Sequence, residues 1–261
     1  MGRGTASPGT SAVVRDLLGF RATLDEVEAG RDRTILTTDE PANRFLLSDE
    51  WAFLAGVICD YQMPAERAWA TPYRLSQALG GWGVEFIAGR PKAVTAAFIG
   101  PPAIHRFPRQ TASWVVDGAR RVATSYRGEA GRIWLPHTPA RTVRSRLAEF
   151  AGISQKKAAM AVEILYGQLG VPLAEMSGSD IAYDIHVRRV MLRTGLAADD
   201  DVRRMVEAAR LHHPERPGAL DLPMWEIGRR WCTKRAPDCV ACPLAASCPK
   251  DVDAAAGVRG A

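Results

Sequence analysis

Residues 232–248 read CTKRAPDCVACPLAASC, with cysteines at Cys232, Cys239, Cys242 and Cys248. The spacing is C-x6-C-x2-C-x5-C, and the fifth cysteine of the chain, Cys59, lies far away in the sequence. Four thiolates in so short a segment suit a tetrahedral metal centre, because one loop can surround the metal without threading through the fold. We therefore predict that residues 232–248, here called the cysteine loop, ligate a metal centre.

Three kinds of site are compatible with the cysteine loop. Disulfides are disfavoured, since nothing upstream resembles a secretory signal and thiols stay reduced inside cells. A structural zinc site remains an alternative, although such sites usually have two close C-x2-4-C pairs separated by a longer gap. Here only one pair is close, and single cysteines flank it at six and five residues. This pattern favours a [4Fe-4S] cluster that is contacted from several sides.

The positive charge of the chain is concentrated in its middle. The 261 residues carry a formal net charge of +5, and residues 106–157 contain eleven Lys or Arg against three acidic residues. This segment has a net charge of +8, so the remainder carries −3. Such a concentration suits a surface that follows nucleic-acid phosphates, although a solvated helical face has the same composition. The longest apolar run, 51–59, is too short to span a membrane, and we expect a cytoplasmic, nucleoid-associated protein.

Helical periodicity dominates the chain and predicts an all-α fold. Residues 51–59 are apolar on nearly all sides, which indicates a buried central helix with Ser48 as its N-cap. Further amphipathic helices are predicted over residues 110–126 and 139–150, and Gly167 ends a helix that follows a tight turn.

The two ends of the chain give weaker signals. Residues 1–10 are rich in Gly, Ser and Pro and predict a flexible segment, whereas residues 11–44 are poorly periodic and predict short strands or turns. Residues 251–261 are predicted to be a disordered tail.

The segment from Gly228 through the cysteine loop to Pro249 resembles the cluster loop of endonuclease III-type DNA glycosylases of the helix-hairpin-helix superfamily. The resemblance covers about residues 46–250 and implies two helical lobes. One is a six-helix barrel with the helix-hairpin-helix at residues 45–172, and the other is a [4Fe-4S] cluster lobe at 173–250, joined by the N-terminal segment 1–44. It also implies that DNA binds across the cleft between the lobes.

The sequence Phe-Ala-Gly-Ile-Ser at residues 150–154 joins two predicted helices by a hairpin. Gly152 allows the backbone to approach closely, and amides at the start of the next helix can hold a phosphate. The family's loop typically reads Leu-Pro-Gly-Val-Gly, so Ala151 replaces its proline and Ser154 its second glycine. Because a serine can cap the following helix, we predict that Gly152 and Ser154 contact DNA.

Two lysines open the helix after this hairpin. In bifunctional members of the family a lysine stands four residues after the first hairpin glycine, which is Lys156 here. The resemblance implies that its amine attacks C1′ of the deoxyribose and forms a Schiff base. A place in the first helical turn, beside Lys157 and the positive helix end, disfavours the ammonium form. Lys157 is the alternative amine, and phosphate contact is an alternative role for both lysines.

The segment Asp184-Ile185-His186-Val187 resembles the family's Asp-x-His-Val motif, whose aspartate is the catalytic carboxylate. The resemblance implies that Asp184 activates the nucleophile or stabilises positive charge on the deoxyribose. Asp184 also stands where a helix N-cap belongs, and the two roles are compatible. His186 is predicted to be a hydrogen-bonding residue near DNA rather than a general base.

A nucleotide that leaves the duplex creates a gap, which a protein side chain has to fill. In the family a glutamine after the buried helix enters the duplex, and Gln62 has this position, with Tyr61 beside it as a stacking surface. The later loop with His105, Arg106 and Phe107 is predicted as a second wedge, although a loop aromatic more often belongs to the core.

Together these resemblances imply a base-excision repair DNA glycosylase with abasic-site (AP) lyase activity. We expect it to act by β-elimination, as a monomer, on double-stranded DNA that contains a lesion or mismatch. A monofunctional uracil, thymine or adenine mismatch glycosylase and a non-catalytic iron–sulfur DNA-binding protein are the alternatives. The adenine-specific branch needs an acid in the first buried helix, and Val57 at that position argues against it.

Overall fold

The computed structural model describes residues 8–30 and 34–256, and this part of the chain consists of helices joined by loops. Within it the one extended pairing is an isolated bridge between Pro139 and Ala174. The prediction of an all-α fold is confirmed. None of the described helices combines the length and the hydropathy that crossing a membrane requires.

The α-helices follow one another closely along the chain. Eight lie in its first half: α1 (Pro8–Ala29), α2 (Glu40–Ser48), α3 (Glu50–Cys59), α4 (Ala65–Trp69), α5 (Thr71–Leu79), α6 (Val84–Ala88), α7 (Pro91–Ile99) and α8 (Pro108–Ser125). The second half contains α9 (Ala140–Ala148), α10 (Gln155–Gly167), α11 (Ile185–Thr194), α12 (Val202–His212) and α13 (Asp221–Arg230). Single 3-10 turns lie between some of them.

The chain divides into two compact units. The first comprises residues 1–33, 137–144 and 158–261, and the second comprises residues 34–136 and 145–157. The boundary of the second unit after Lys157 falls inside α10, whereas the sequence suggested a division near residue 172. Both chain ends are assigned to the first unit, which also contains the cysteine loop. The barrel and the cluster lobe remain predictions.

Helix α3 forms the centre of the second unit. Nine of its ten residues, from Trp51 to Cys59, are buried, as expected for a helix that is apolar on all sides. Neighbouring side chains press closely on it: a methyl group on Gly56 would lie 2.8 Å from the Trp69 ring. Burial of each large apolar side chain stabilises the folded chain by roughly 1.5–3 kcal/mol. The end of α3 is therefore held rigidly where the next loop begins.

Two local predictions were wrong. Ser48 is the last residue of α2, and Asp49 is the N-cap of α3, since its carboxylate accepts a 2.6 Å hydrogen bond from the Ala52 amide. Much of the segment 11–44 is helix α1 rather than strands or turns. The apolar pattern of α1 was obscured because its inner face includes the buried Arg21, whose charge is met by Asp25 and Glu163.

The described residues near both chain ends form helical structure that the sequence did not predict. Of the predicted flexible segment 1–10, residues 1–7 lie outside the described part, and the remainder begins α1. Of the predicted tail 251–261, Asp253–Ala255 form a 3-10 turn, and Ala255 is buried in the core of the first unit. Residues 257–261 lie outside the described part.

Candidate functional site

The hairpin before α10 needs glycine at its centre for two reasons. Gly152 has a φ of +84°, a conformation that L side chains rarely adopt, and a methyl group there would lie 2.5 Å from the Trp114 ring. The Ile153 amide closes the turn by donating to the Phe150 carbonyl at 3.0 Å. Ser154 is exposed immediately before α10 begins. The predicted hairpin is therefore present, with Gly152 packed on a tryptophan ring.

The two lysines that follow the hairpin have different environments. Lys157 is only 4% exposed, and its Nζ donates to the Ile58 carbonyl at the end of α3, at 2.9 Å. The Nζ also lies 5.7 Å from the centre of the Tyr61 ring and 5.8 Å from that of Trp114. Lys156 is partly buried. Because successive residues of a helix point in directions about 100° apart, the two amines cannot share one position.

Burial gives Lys157 an unusual acidity. Loss of hydration, the largest influence, lowers the pKa of Lys157 from 10.5 to about 8, and the charge of Lys156 acts in the same direction. Asp60 and Cys59 oppose the shift. The carbonyl of Ile58 accepts a hydrogen bond from the amine in either protonation state, whereas the two aromatic faces attract only its charged form.

A lysine with a lowered pKa makes stability depend on pH. Between pH 8 and 10.5 the unfolded chain binds the Lys157 proton and the folded chain does not, so the contribution of Lys157 to stability is expected to rise with pH in this interval. The rise contributed by this group is on the order of 2–3 kcal/mol. Chemical denaturation at pH 7.5 and 10 should show that the rise is smaller in Lys157→Met than in Lys156→Met. An equal change of stability with pH in the two variants would contradict the lowered pKa of Lys157.

The two loops that were predicted to enter DNA lie side by side in the second unit. Arg106 donates to the Gln62 carbonyl at 3.1 Å, and the Tyr61 and Phe107 ring centres are 5.4 Å apart. Gln62 and Arg106 are exposed, and Gln62 has a φ of +46°, which is uncommon for a non-glycine residue. Such backbone strain is typical of functional loops. The structure thus brings all four predicted wedge residues together.

Asp184 is the N-cap of α11 in the first unit. Its backbone is extended, with φ −113° and ψ 157°, and its Oδ1 accepts a 2.8 Å hydrogen bond from the His186 amide. The residue is partly buried. The cap contact fixes the orientation of the carboxylate at the start of the helix, where the positive end of the helix dipole favours an anion.

The ring of His186 is held by a neighbouring arginine. Arg189 Nη2 lies 3.0 Å from His186 Nδ1, and because a guanidinium only donates, the ring nitrogen accepts. Burial, the largest influence, lowers the pKa of His186, and Arg189 lowers it further, whereas Asp184 raises it. The same guanidinium donates to the carbonyls of Gly228 and Cys232, each at 2.6 Å. Arg189 therefore joins α11 to α13 and to the start of the cysteine loop.

The cysteine loop surrounds one cavity. All four of its cysteines line the cavity, which has about 400 Å³ of space free of protein atoms, open solvent included. The sulfurs receive donors: Arg193 Nη1 lies 3.4 Å from Cys232 Sγ, and backbone amides lie 3.5 Å from Cys242 Sγ and 3.3 Å from Cys248 Sγ. Burial, followed by charge repulsion from neighbouring cysteines, raises the pKa of Cys242 and Cys248.

Among the described residues, no three His, Cys, Asp or Glu side chains form a group that could hold a single metal ion.

The fifth cysteine lies in the other unit. Cys59 is fully buried at the end of α3 in the second unit, and burial raises its pKa to about 12. Cys59 is therefore a core residue separate from the cysteine loop.

Two buried arginines near these groups, Arg189 and Arg193, were given no role by the sequence analysis. Arg189 and Arg193 follow Asp184 on one face of α11, and Arg193 donates to the Thr233 and Lys234 carbonyls at 2.7 and 3.1 Å. Their spacing of four residues was a usable signal, since it places both on the same side of the helix. His105 was predicted as part of the second wedge loop, and the structure buries it.

Comparison with known proteins identifies the fold. No family model and no curated protein matches the chain. A trapped covalent intermediate of endonuclease III with DNA aligns with 92% of this chain and 96% of its own, with a TM-score of 0.63 and 19% identity. A thermostable thymine-DNA glycosylase aligns over 92% and 98%, with a TM-score of 0.61 and 15% identity. The 8-oxoguanine DNA glycosylase of Thermotoga maritima aligns over 83% and 95%, with a TM-score of 0.50 and 18% identity. The predicted resemblance to endonuclease III-type glycosylases is confirmed at the level of the fold.

Proposed function

We propose that this protein is a DNA glycosylase of base-excision repair, which flips and releases a damaged or mismatched base from double-stranded DNA. The observation that carries the proposal is the fold shared, over 92% of the chain, with endonuclease III bound to DNA. The Gly152 hairpin and the N-capping Asp184 support it, since this chemistry requires a phosphate-binding turn and a fixed carboxylate.

In this proposal Asp184 provides negative charge beside the reacting sugar. As the bond between C1′ and the base breaks, positive charge develops on the deoxyribose, and a nearby carboxylate stabilises it. The hydrogen bond from the His186 amide orients the carboxylate. Arg189 supports this arrangement by holding the His186 ring against α13.

The finer proposal is AP lyase activity with Lys156 as the amine. Its nitrogen bonds to C1′ while the base leaves with a proton, and opening of the sugar ring then gives the Schiff base. Loss of a C2′ proton afterwards expels the 3′ phosphate. The burial of Lys157 favours Lys156 for this role, because residue Lys157 is only 4% exposed and its amine donates a hydrogen bond to the Ile58 carbonyl.

Borohydride trapping on a duplex with an abasic site tests the amine directly. We expect the wild-type protein to become covalently linked to DNA, Lys156→Gln to lose the link, and Lys157→Gln to retain it. A panel of oxidised pyrimidines, uracil, alkylated bases and mismatches would identify the base. Base release without trapping would indicate a monofunctional glycosylase, and absence of both would indicate the non-catalytic DNA-binding alternative.

We further propose that the cysteine loop holds a [4Fe-4S] cluster. The four thiols line one cavity and receive N–H donors from Arg193 and from the backbone, which suits anionic sulfur ligands. When bound, the cluster would supply a redox-active group that also cross-links the loop. Zinc is the alternative, and visible absorbance with metal analysis of anaerobically purified protein would distinguish the two.

The proposed partner is double-stranded DNA, bound by a monomer. Because Lys and Arg displace condensed counterions from phosphates, affinity for an undamaged duplex is expected to fall steeply with salt. With roughly six phosphate contacts, the loss between 50 and 200 mM salt would be about 10³-fold. Fluorescence anisotropy over this range measures the slope, and a flat response would contradict a role of the basic segment 106–157 in binding.

A further inference from the structure

His105 is a buried residue at the start of segment 105–107, the second of the two loops that were predicted to enter DNA. It is 3% exposed and lies in the loop between α7 and α8. Its Nδ1 is 3.0 Å from both the Phe107 amide nitrogen and the Thr111 hydroxyl, and its Nε2 is 3.0 Å from the Cys59 carbonyl oxygen. Both nitrogens of the ring are therefore engaged inside the second unit.

These contacts determine the protonation of the ring. A backbone amide only donates and a carbonyl only accepts, so Nδ1 carries the lone pair and Nε2 carries the proton. Burial, the largest influence, lowers the pKa of His105, and Lys157 acts in the same direction, whereas Asp60 opposes it. The neutral ring satisfies every contact, and protonation at Nδ1 would remove the acceptor of the Phe107 amide.

The ring joins the two loops through one carbonyl group. The Cys59 carbonyl accepts from His105 Nε2 at 3.0 Å and from the Tyr61 amide at 2.7 Å. On the other side of the ring, Nδ1 accepts from Phe107, whose ring contacts that of Tyr61. His105 thus connects the end of the firmly packed α3 to the backbone of both loops, although it is itself hidden from solvent.

We propose that His105 is a positioning residue that holds the segments 61–62 and 105–107 as one preformed wedge. In this role it sets the preference of the protein for a duplex with a displaced or missing base over an intact duplex. The inference rests on the proposed function. It adds a residue that touches no DNA but fixes the two loops expected to fill the gap.

Three variants separate this role from a general effect on folding. His105→Gln keeps a donor near the Nε2 position and removes the acceptor for the Phe107 amide. His105→Asn keeps an acceptor near the Nδ1 position and loses the contact with Cys59. Thr111→Val removes a hydrogen bond to the same ring nitrogen but leaves the contacts of the ring with Phe107 and Cys59 in place, and serves as the matched control.

The measurement is the ratio of the dissociation constants for an intact duplex and for the same duplex with a tetrahydrofuran abasic analogue. We expect His105→Gln to lower this preference about tenfold, the effect of one lost hydrogen bond, with little change for the intact duplex. His105→Asn, which loses the contact with Cys59, should lower the preference by a similar factor, and Thr111→Val should retain it. Thermal melting of each variant shows whether it is folded.

Two results would overturn the inference while leaving the proposed function in place. One is an unchanged preference in folded His105→Gln, and the other is an equal loss of affinity for both duplexes. A wild-type protein without any preference would overturn the inference and the proposed function together. If His105→Gln does not fold, ring-nitrogen NMR of the wild type decides: a protonated Nδ1 in the free protein contradicts the arrangement.

Discussion

Replacing Asp184 by asparagine is expected to lower the rate of base release by about 10²–10⁴-fold while the protein stays folded. Asparagine caps helices as well as aspartate does, so the hydrogen bond to the His186 amide can be kept. The substitution therefore removes the negative charge and retains the local structure. Single-turnover assays on the preferred lesion measure the rate, and binding to an abasic analogue measures retained affinity.

A second substitution at the same position provides the control. Asp184→Ala removes both the charge and the cap and should cost about 1 kcal/mol of stability in addition to the lost rate. If Asp184→Asn releases base at the wild-type rate, the carboxylate is only a helix cap. If Asp184→Asn melts as much below wild type as Asp184→Ala does, the lost rate cannot be assigned to chemistry.

The sequence predicts the parts of the fold that follow from local patterns. The helix over residues 51–59 is apolar on all sides, and the structure buries nine consecutive residues there. Helix α1 was not predicted, because the buried Arg21 on its inner face breaks the apolar stripe, and one of the two acids that meet its charge, Glu163, is distant in sequence. The N-cap of α3 was assigned one residue too early, since Ser48 and Asp49 are both good caps and only the Asp49 hydrogen bond decides between them.

For the candidate site, the sequence predicts positions but not environments. The hairpin glycine, the N-capping Asp184 and the clustering of the four cysteines around one cavity follow from motif and spacing. The burial of Lys157 depends on Ile58, ninety-nine residues away, and no local pattern encodes that contact. The same holds for His105, whose partner Cys59 is forty-six residues earlier in the chain. Roles that depend on such distant contacts emerge only from the folded chain.

Replacing Cys242 by alanine is expected to remove the proposed [4Fe-4S] cluster and to destabilise the first unit. The segment 231–250 has turns and bends but no regular helix, so its order depends on contacts through the sulfurs and on few buried side chains such as Leu244. Loss of a structural metal can lower the free energy of unfolding by more than about 4 kcal/mol. Iron analysis, visible absorbance and thermal melting of anaerobically purified protein measure the effect.

Cys59 supplies the matched control for this experiment, because it is the one cysteine outside the loop. Cys59→Ala removes a single buried sulfur in the second unit, so we expect full iron content and an unchanged spectrum with modest destabilisation. Equal iron loss in the two variants would mean that metal content follows general stability and not ligation. Wild-type protein that contains zinc and no iron would leave the loop as a metal site but replace the proposed cluster by a zinc centre, since thiolate ligands bind either.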